Sequence, residues 1–149
     1  MREFKFRAWD LDHKWMDTDF FIKSNGIPHD APSRTFFTPN IEIDENPSLV
    51  VMQFTGLKDA NGVDIYEGDL LEVRHRSIAG FVREKSINVY YEESDAAFLL
   101  KLPRSEYPMY LHEVAHGTHI TIEGCSHTCK VIGNIYENPE LLEVQHAKQ

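Results

Sequence analysis

Several things are scarce in this chain, and each scarcity excludes something. Only two of its 149 residues are cysteine. They stand at 125 and 129, a spacing that is not C-x-x-C, so no disulfide scaffold is expected and both thiols should be reduced. No apolar run approaches the ~20 residues that span a bilayer. The first residues alternate charge and aromatics instead of placing a basic stretch before an apolar block, so no signal peptide is expected and the cytoplasm is the expected location. There is no G-x-x-x-x-G-K-[ST], no G-x-G-x-x-G and no G-x-S-x-G, which leaves nucleotide binding and an esterase-type elbow without support. Internal repeats and low-complexity segments are absent too. Positive charge is in short supply: 15 Lys and Arg face 24 Asp and Glu, a net charge of −9. Such a field repels nucleic acid at long range and favours solubility.

What is present suits a soluble β-rich protein. Hydrophobic residues make up 42 % and charged residues 26 %, ordinary values for a globular chain. Aromatics reach 11 %, with nine Phe and six Tyr, and flat side chains pack well on pleated surfaces. The length fits one domain, or a small domain with an appended subdomain, and is enough to bury most of the unfolded surface.

Phe4, Phe6 and Ala8 alternate with Glu3, Lys5 and Arg7, which predicts a half-buried strand. A polar turn over residues 10–14 should lead to a returning strand at Trp15 and Met16. Pro28, Pro32, Pro39 and Pro47 punctuate residues 25–48, the least regular stretch, read as a long loop, an insertion or an arm. Residues 49–55 form a continuous β-prone run. Gly56 to Gly62 and Glu67-Gly68-Asp69 supply turn chemistry. Strands are then expected at 70–74, 79–82, 87–91 and 97–102, with a turn at Lys85-Ser86. Residues 110–116 suit one or two helical turns, 119–122 and 130–135 two more strands. Asn138, Pro139 and Glu140 read as the start of a short terminal helix. Short strands at this spacing predict a small barrel or sandwich.

Five groups of residues invite a chemical reading. His112-Glu113-Val114-Ala115-His116 fits H-E-x-x-H, in which two His one helical turn apart hold zinc and the Glu polarises its water. Pro108 and Gly117 confine any helix there to about two turns, and in a chain with eight His the pattern arises easily by chance. His119, Glu123 and His127 are possible third ligands. Cys125-Ser126-His127-Thr128-Cys129 would place its outer sulfurs ~13 Å apart in a strand, too far for one tetrahedral ion. Only a tight turn would let them share a structural zinc with His112 or His116, and two ordinary thiols flanking a surface turn are expected. Asp59, Asn61 and Asp64 miss the calcium-loop pattern, since Val63 and Asp64 occupy the fifth and sixth positions. Glu67, Asp69 and Glu72, like Glu92, Glu93 and Asp95, are expected on solvated turns and strand faces. Arg74, His75 and Arg76 form a small basic run, read as a solvated strand end.

Three stretches read as fixed words: REFKFRAWD at 2–10, MQFTGLKDANGVDIYEGDLLEV at 52–73 and VIGNIYENPELLE at 131–143. Together they resemble the YopX family of small phage and prophage proteins, over about a third of the chain. The resemblance implies one mainly β domain over 1–149: an N-terminal β-containing subdomain to about residue 55, then a small SH3-like barrel and a short C-terminal helix over 56–149. It implies no established activity.

The expected function is non-enzymatic: a phage or prophage accessory protein in the cytoplasm of a bacterial host, acting by self-assembly and binding of an unidentified phage or host protein, without membrane attachment. Exposed strand edges or the loop 25–48 would pair subunits. No cofactor and no metal site are expected. One alternative is a nucleic-acid-binding barrel, with Tyr90, Tyr91 and Phe98 as stacking platforms beside Arg74, Arg76 and Arg83. The other is a zinc hydrolase built on His112, Glu113 and His116.

Overall fold

The computed structural model describes residues 3–30, 46–77, 80–103, 105–115 and 127–142. Most of the proline-punctuated stretch and the strand expected at 119–122 lie outside these residues. The chain is mainly β, as expected, and divides into two compact units: Lys5–Gln53, and Met1–Phe4 with Phe54–Gln149.

In the first unit, strand β1 (Phe6–Asp10) pairs antiparallel with β2 (Trp15–Asp17). A separate two-stranded ribbon joins β3 (Phe20–Ile22) and β4 (Pro28–Asp30), placing a hairpin at the start of the irregular stretch. The other side of β1 pairs with the beginning of β5 (Leu49–Lys58). Asp10 builds the β1–β2 turn. Its carboxylate accepts the backbone N–H groups of Asp12 and His13, both at 2.8 Å, and lies 2.9 Å from His13 Nδ1. The bond from the His13 amide, then that from its ring, holds the Asp10 carboxyl down at about 2, because both favour the charged form. The predicted alternation is only partly realised. Ala8 and Trp9 are buried, but Phe6 is 40 % exposed.

In the second unit, the end of β5 pairs with β6 (Asp64–Tyr66). A five-stranded antiparallel sheet follows in the order β10-β9-β8-β7-β11, curved into a half-barrel. Its strands are β7 (Asp69–Ser77), β8 (Gly80–Glu92), β9 (Ala97–Leu100), β10 (Met109–Tyr110) and β11 (Thr128–Asn134). Leu71 and Val73 from β7, Ile87 and Val89 from β8, Leu100 from β9 and Leu111 close the core with Ile65 and Cys129.

The strand over 80–92 corrects the expected turn at Lys85-Ser86. Leu71 lies opposite Ile87 and Val73 opposite Glu84, so Glu72 alone faces two residues, Lys85 and Ser86. This is a β-bulge, and Ser86 takes φ +61° within it. The extra residue reverses the side-chain parity of the strand. Before it Phe81, Arg83 and Lys85 point outward; after it Ile87 and Val89 point into the core.

The sequence words sit on buried polar anchors. Asp59 is fully buried, not solvated. One carboxylate oxygen accepts from Asn61 and Val63 N–H at 2.8 and 2.9 Å, and the other from Val131 N–H on β11 at 2.9 Å. Asp69, expected on a solvated turn, is 1 % exposed and accepts the Tyr66 N–H at 2.8 Å. Asn134 Oδ1 accepts from Tyr136 and Glu137 N–H. Gly133 makes room for a close approach: a Cβ there would meet Asn138 Oδ1 at 2.4 Å, and the Asn138 side chain would have to shift. Residues 140–142 form the short terminal helical turn. The Asn138 side chain does not cap it. That oxygen turns back to accept the Asn134 N–H at 3.3 Å.

Candidate functional site

The bulge gives β8 an outward cationic row, and pairing with β7 and β11 widens it. Arg83 lies directly opposite Arg74, and Arg74 directly opposite Thr128. One step along, Glu72 faces Lys130. These residues, with Ala60, Asn61 and Cys129, line a concavity of about 160 Å³. Among the described residues Glu72 is the one carboxylate lining it. Its oxygens lie 3.5 Å from Arg83 Nε and 3.4 Å from Lys85 Nζ. The Arg74 guanidinium stands 4.9 Å from the centre of the Phe81 ring, which is 45 % exposed. Four cations, against Glu72 at the surface and the buried Asp59 behind Asn61 and Cys129, leave a local positive excess in a chain of net charge −9.

The expected nucleic-acid face is split. Arg74 and Arg83 do come together, but Tyr91, 44 % exposed, and Phe98, packed against the core, form their edge-to-face pair, centroids 5.3 Å apart, at the far end of β8. Eight residues separate Arg83 from Tyr91, roughly 26 Å of strand. Beside them lies the acidic turn of Glu92, Glu93 and Asp95. The Tyr90 hydroxyl is pushed up by burial, then by the charges of Glu92 and Asp95. Phe81, Lys85 and Lys130 were not part of the sequence reading. The outward alternation Phe81-x-Arg83-x-Lys85 is the signal that would have found the first two. In the basic run, His75 turns inward, 8 % exposed, with Nε2 at 3.3 Å from a Glu84 carboxylate oxygen.

The metal candidates fare differently. His112 and Glu113 lie on a single 3₁₀ turn, Leu111–Glu113, not on the α-helix that H-E-x-x-H requires, and the His112 ring packs on Tyr110 with centroids 5.5 Å apart. His116, His119, Glu123 and Cys125 lie outside the described residues. Cys129 is no surface thiol: it is 2 % exposed in the core. Burial, with the Asp59 charge adding to it, pushes the thiol up to about 12, so the thiolate needed for metal binding or nucleophilic attack is suppressed. Among the described residues no three His, Cys, Asp or Glu converge to hold a metal. Asp64 is engaged by Lys58, which together with the bonded Asp59 accounts for the calcium-like spacing as turn structure.

The sequence profile described as YopX protein matches residues 5–143. The chain belongs to the YopX protein family. Its fold is similar to the crystal structure of protein EF1440 from Enterococcus faecalis, at 29 % identity and TM-score 0.56, covering 95 % of this chain and 99 % of that one. It is also similar to the X-ray structure of protein yopX from Bacillus subtilis, at 20 % identity and TM-score 0.56, covering 95 % and 98 %. No curated protein matches the sequence. Family membership fixes the fold and assigns no activity. Among the described residues no helix is long and apolar enough to cross a membrane.

Proposed function

We propose that this YopX-family chain is a non-enzymatic accessory protein of a phage or prophage that self-assembles in the host cytoplasm and binds another protein. One observation carries the assembly reading. In the unit Lys5–Gln53, Phe6, Thr18, Phe20 and Ile22 line an open groove of about 280 Å³. None of the four is charged. Two copies at −9 each repel, so the contact that costs least is a neutral, aromatic one, and aromatics are enriched at interface cores. Phe6 belongs to a strand patterned for burial yet is 40 % exposed, a face suited to a second copy.

Strand-edge pairing, by contrast, has little to work with in the curved sheet. The outer edge of β11 is already engaged: Ala60 N–H donates to the Cys129 carbonyl at 3.0 Å, and Val131 N–H donates to Asp59. At the other side β10 is two residues long. Short and covered edges blunt pairing, so assembly is assigned to side chains of the groove. Native mass spectrometry tests the reading. A metal-free oligomer of defined size for the unmodified chain, reduced to monomer by Phe6→Asp with an unchanged circular dichroism spectrum, is the expected result. A wild-type monomer at tens of micromolar, or one zinc per chain, would overturn it.

A further inference from the structure

We propose that the cationic concavity on β7, β8 and β11 binds the phosphodiester backbone of a single-stranded nucleic acid. The first ground is a like-charge pair that the sheet carries, offset only in part by Glu72 on Arg83 and by the Phe81 ring on Arg74. Like charges directly opposite on neighbouring strands are destabilising, yet Arg74 and Arg83 are directly opposite and both point to solvent, with Lys130 beside them. Among the described residues the only lining carboxylate, Glu72, is held by Arg83 and Lys85, which leaves Arg74 and Lys130 to face an anion. Thr128 and Asn61 add hydrogen-bonding side chains to the same wall. Guanidinium, ammonium and hydroxyl groups around one concavity match a phosphate oxygen set.

The second ground selects a single strand. Phe81 lies 45 % exposed beside the row with the Arg74 guanidinium against its ring. An aromatic face next to a cationic track holds an unpaired base by stacking, which a duplex does not offer. The overall acidity does not decide the matter at physiological salt. The exposed acidic turn at 92–95 lies roughly 30 Å along β8 from Arg83, more than three Debye lengths at 0.15 M. The local excess governs contact at the concavity.

Fluorescence anisotropy with a labelled oligonucleotide of about ten nucleotides tests this, from 50 to 200 mM salt. Neutralising two phosphates, one each by Arg74 and Lys130, gives a log–log salt slope of about −1.4, or a roughly sevenfold loss of affinity over that range. Arg74→Ala and Lys130→Ala should each reduce the slope by about 0.7. Phe81→Ala should weaken binding about tenfold with the slope unchanged, as expected for lost stacking. Lys101→Ala, an exposed cation at the end of β9, should behave as wild type, and circular dichroism verifies the fold of each variant. No anisotropy change at 50 mM salt, or Arg74→Ala and Lys130→Ala binding like wild type, would overturn the proposal. Competition by a mononucleotide or inorganic phosphate at the oligonucleotide's own affinity would overturn the strand assignment and leave a free-phosphate site. Equal binding of the matching duplex would remove the role given to Phe81.

Discussion

The two units of this chain are stabilised in different ways. In Phe54–Gln149 a half-barrel closes over Leu71, Val73, Ile87, Val89 and Leu100, each at most 1 % exposed. Asp59, Asp69 and Asn134 tie its turns to its strands through backbone N–H groups. In Lys5–Gln53 the described apolar residues that are buried are Ala8, Trp9, Leu49 and Met52, while Phe6, Leu11 and Trp15 are exposed. Small units bury too little to be robust by themselves. The larger unit therefore supplies its own stability, and the smaller one carries the apolar surface that an assembly would cover.

This contrast is easiest to break in the core of the larger unit. Ile87→Ala should cost about 4 kcal/mol, the range for a fully buried aliphatic truncation, measured by urea unfolding; a loss under 1 kcal/mol would mean that the half-barrel core does not set stability. Asp59→Ala comes next, at about 3 kcal/mol, because it leaves the N–H groups of Asn61, Val63 and Val131 without their acceptor at 1–3 kcal/mol per unsatisfied group after partial relaxation. A loss confined to that turn by amide exchange, without global destabilisation, would show that the turn is not part of the cooperative unit. The smallest effect belongs to Asp10 in the smaller unit. Its folded-state value of about 2 lies below the ordinary 3.8. Its contribution is thus present above about pH 4 and lost as pH falls through 2. An NMR titration of its carboxyl carbon should have its midpoint near 2, and Asp10→Asn should remove that step from acid unfolding. A midpoint near 4 would mean that the His13 bonds do not hold in solution.

Much of the fold was legible because period-two alternation and turn residues are local signals. Strands expected at 49–55, 70–74 and 97–102 are found at Leu49–Lys58, Asp69–Ser77 and Ala97–Leu100. The turn expected from Gly56 to Gly62 begins only after Lys58, because pairing with β6 carries β5 through Gly56. Burial of the carboxylates was not legible: Asp59 looks like any turn aspartate until β11, some 70 residues later in sequence, brings Val131 against it. The bulge was misread because Lys85-Ser86 carries the same residue types as a turn, and only pairing with Glu72 distinguishes the two. The cationic face was half legible. Arg74 and Arg83 stood out, but Lys130 joins them through strand pairing, and Tyr91 and Phe98 left the group because parity changes at Ser86. The spacing of His112 and His116 describes an α-helix that Pro108 and Gly117 leave little room for, and a 3₁₀ turn forms at Leu111–Glu113.

The bulge at Ser86 also bears on how this gene can drift. Loss or gain of one codon in a surface loop alters a connection and little else. Loss of one codon at position 85 or 86 would remove the extra residue, leave Glu72 facing a single partner and keep Ile87 and Val89 on the core face, whereas loss of one codon at 88 would carry Val89 to the face that holds Arg83. The reading frame survives both losses, and only the second turns the rest of the strand inside out. Single-codon deletions tiled across 80–92 should therefore be tolerated best at 85 and 86 and show their deepest trough of soluble expression just beyond the bulge, at 88 and 89.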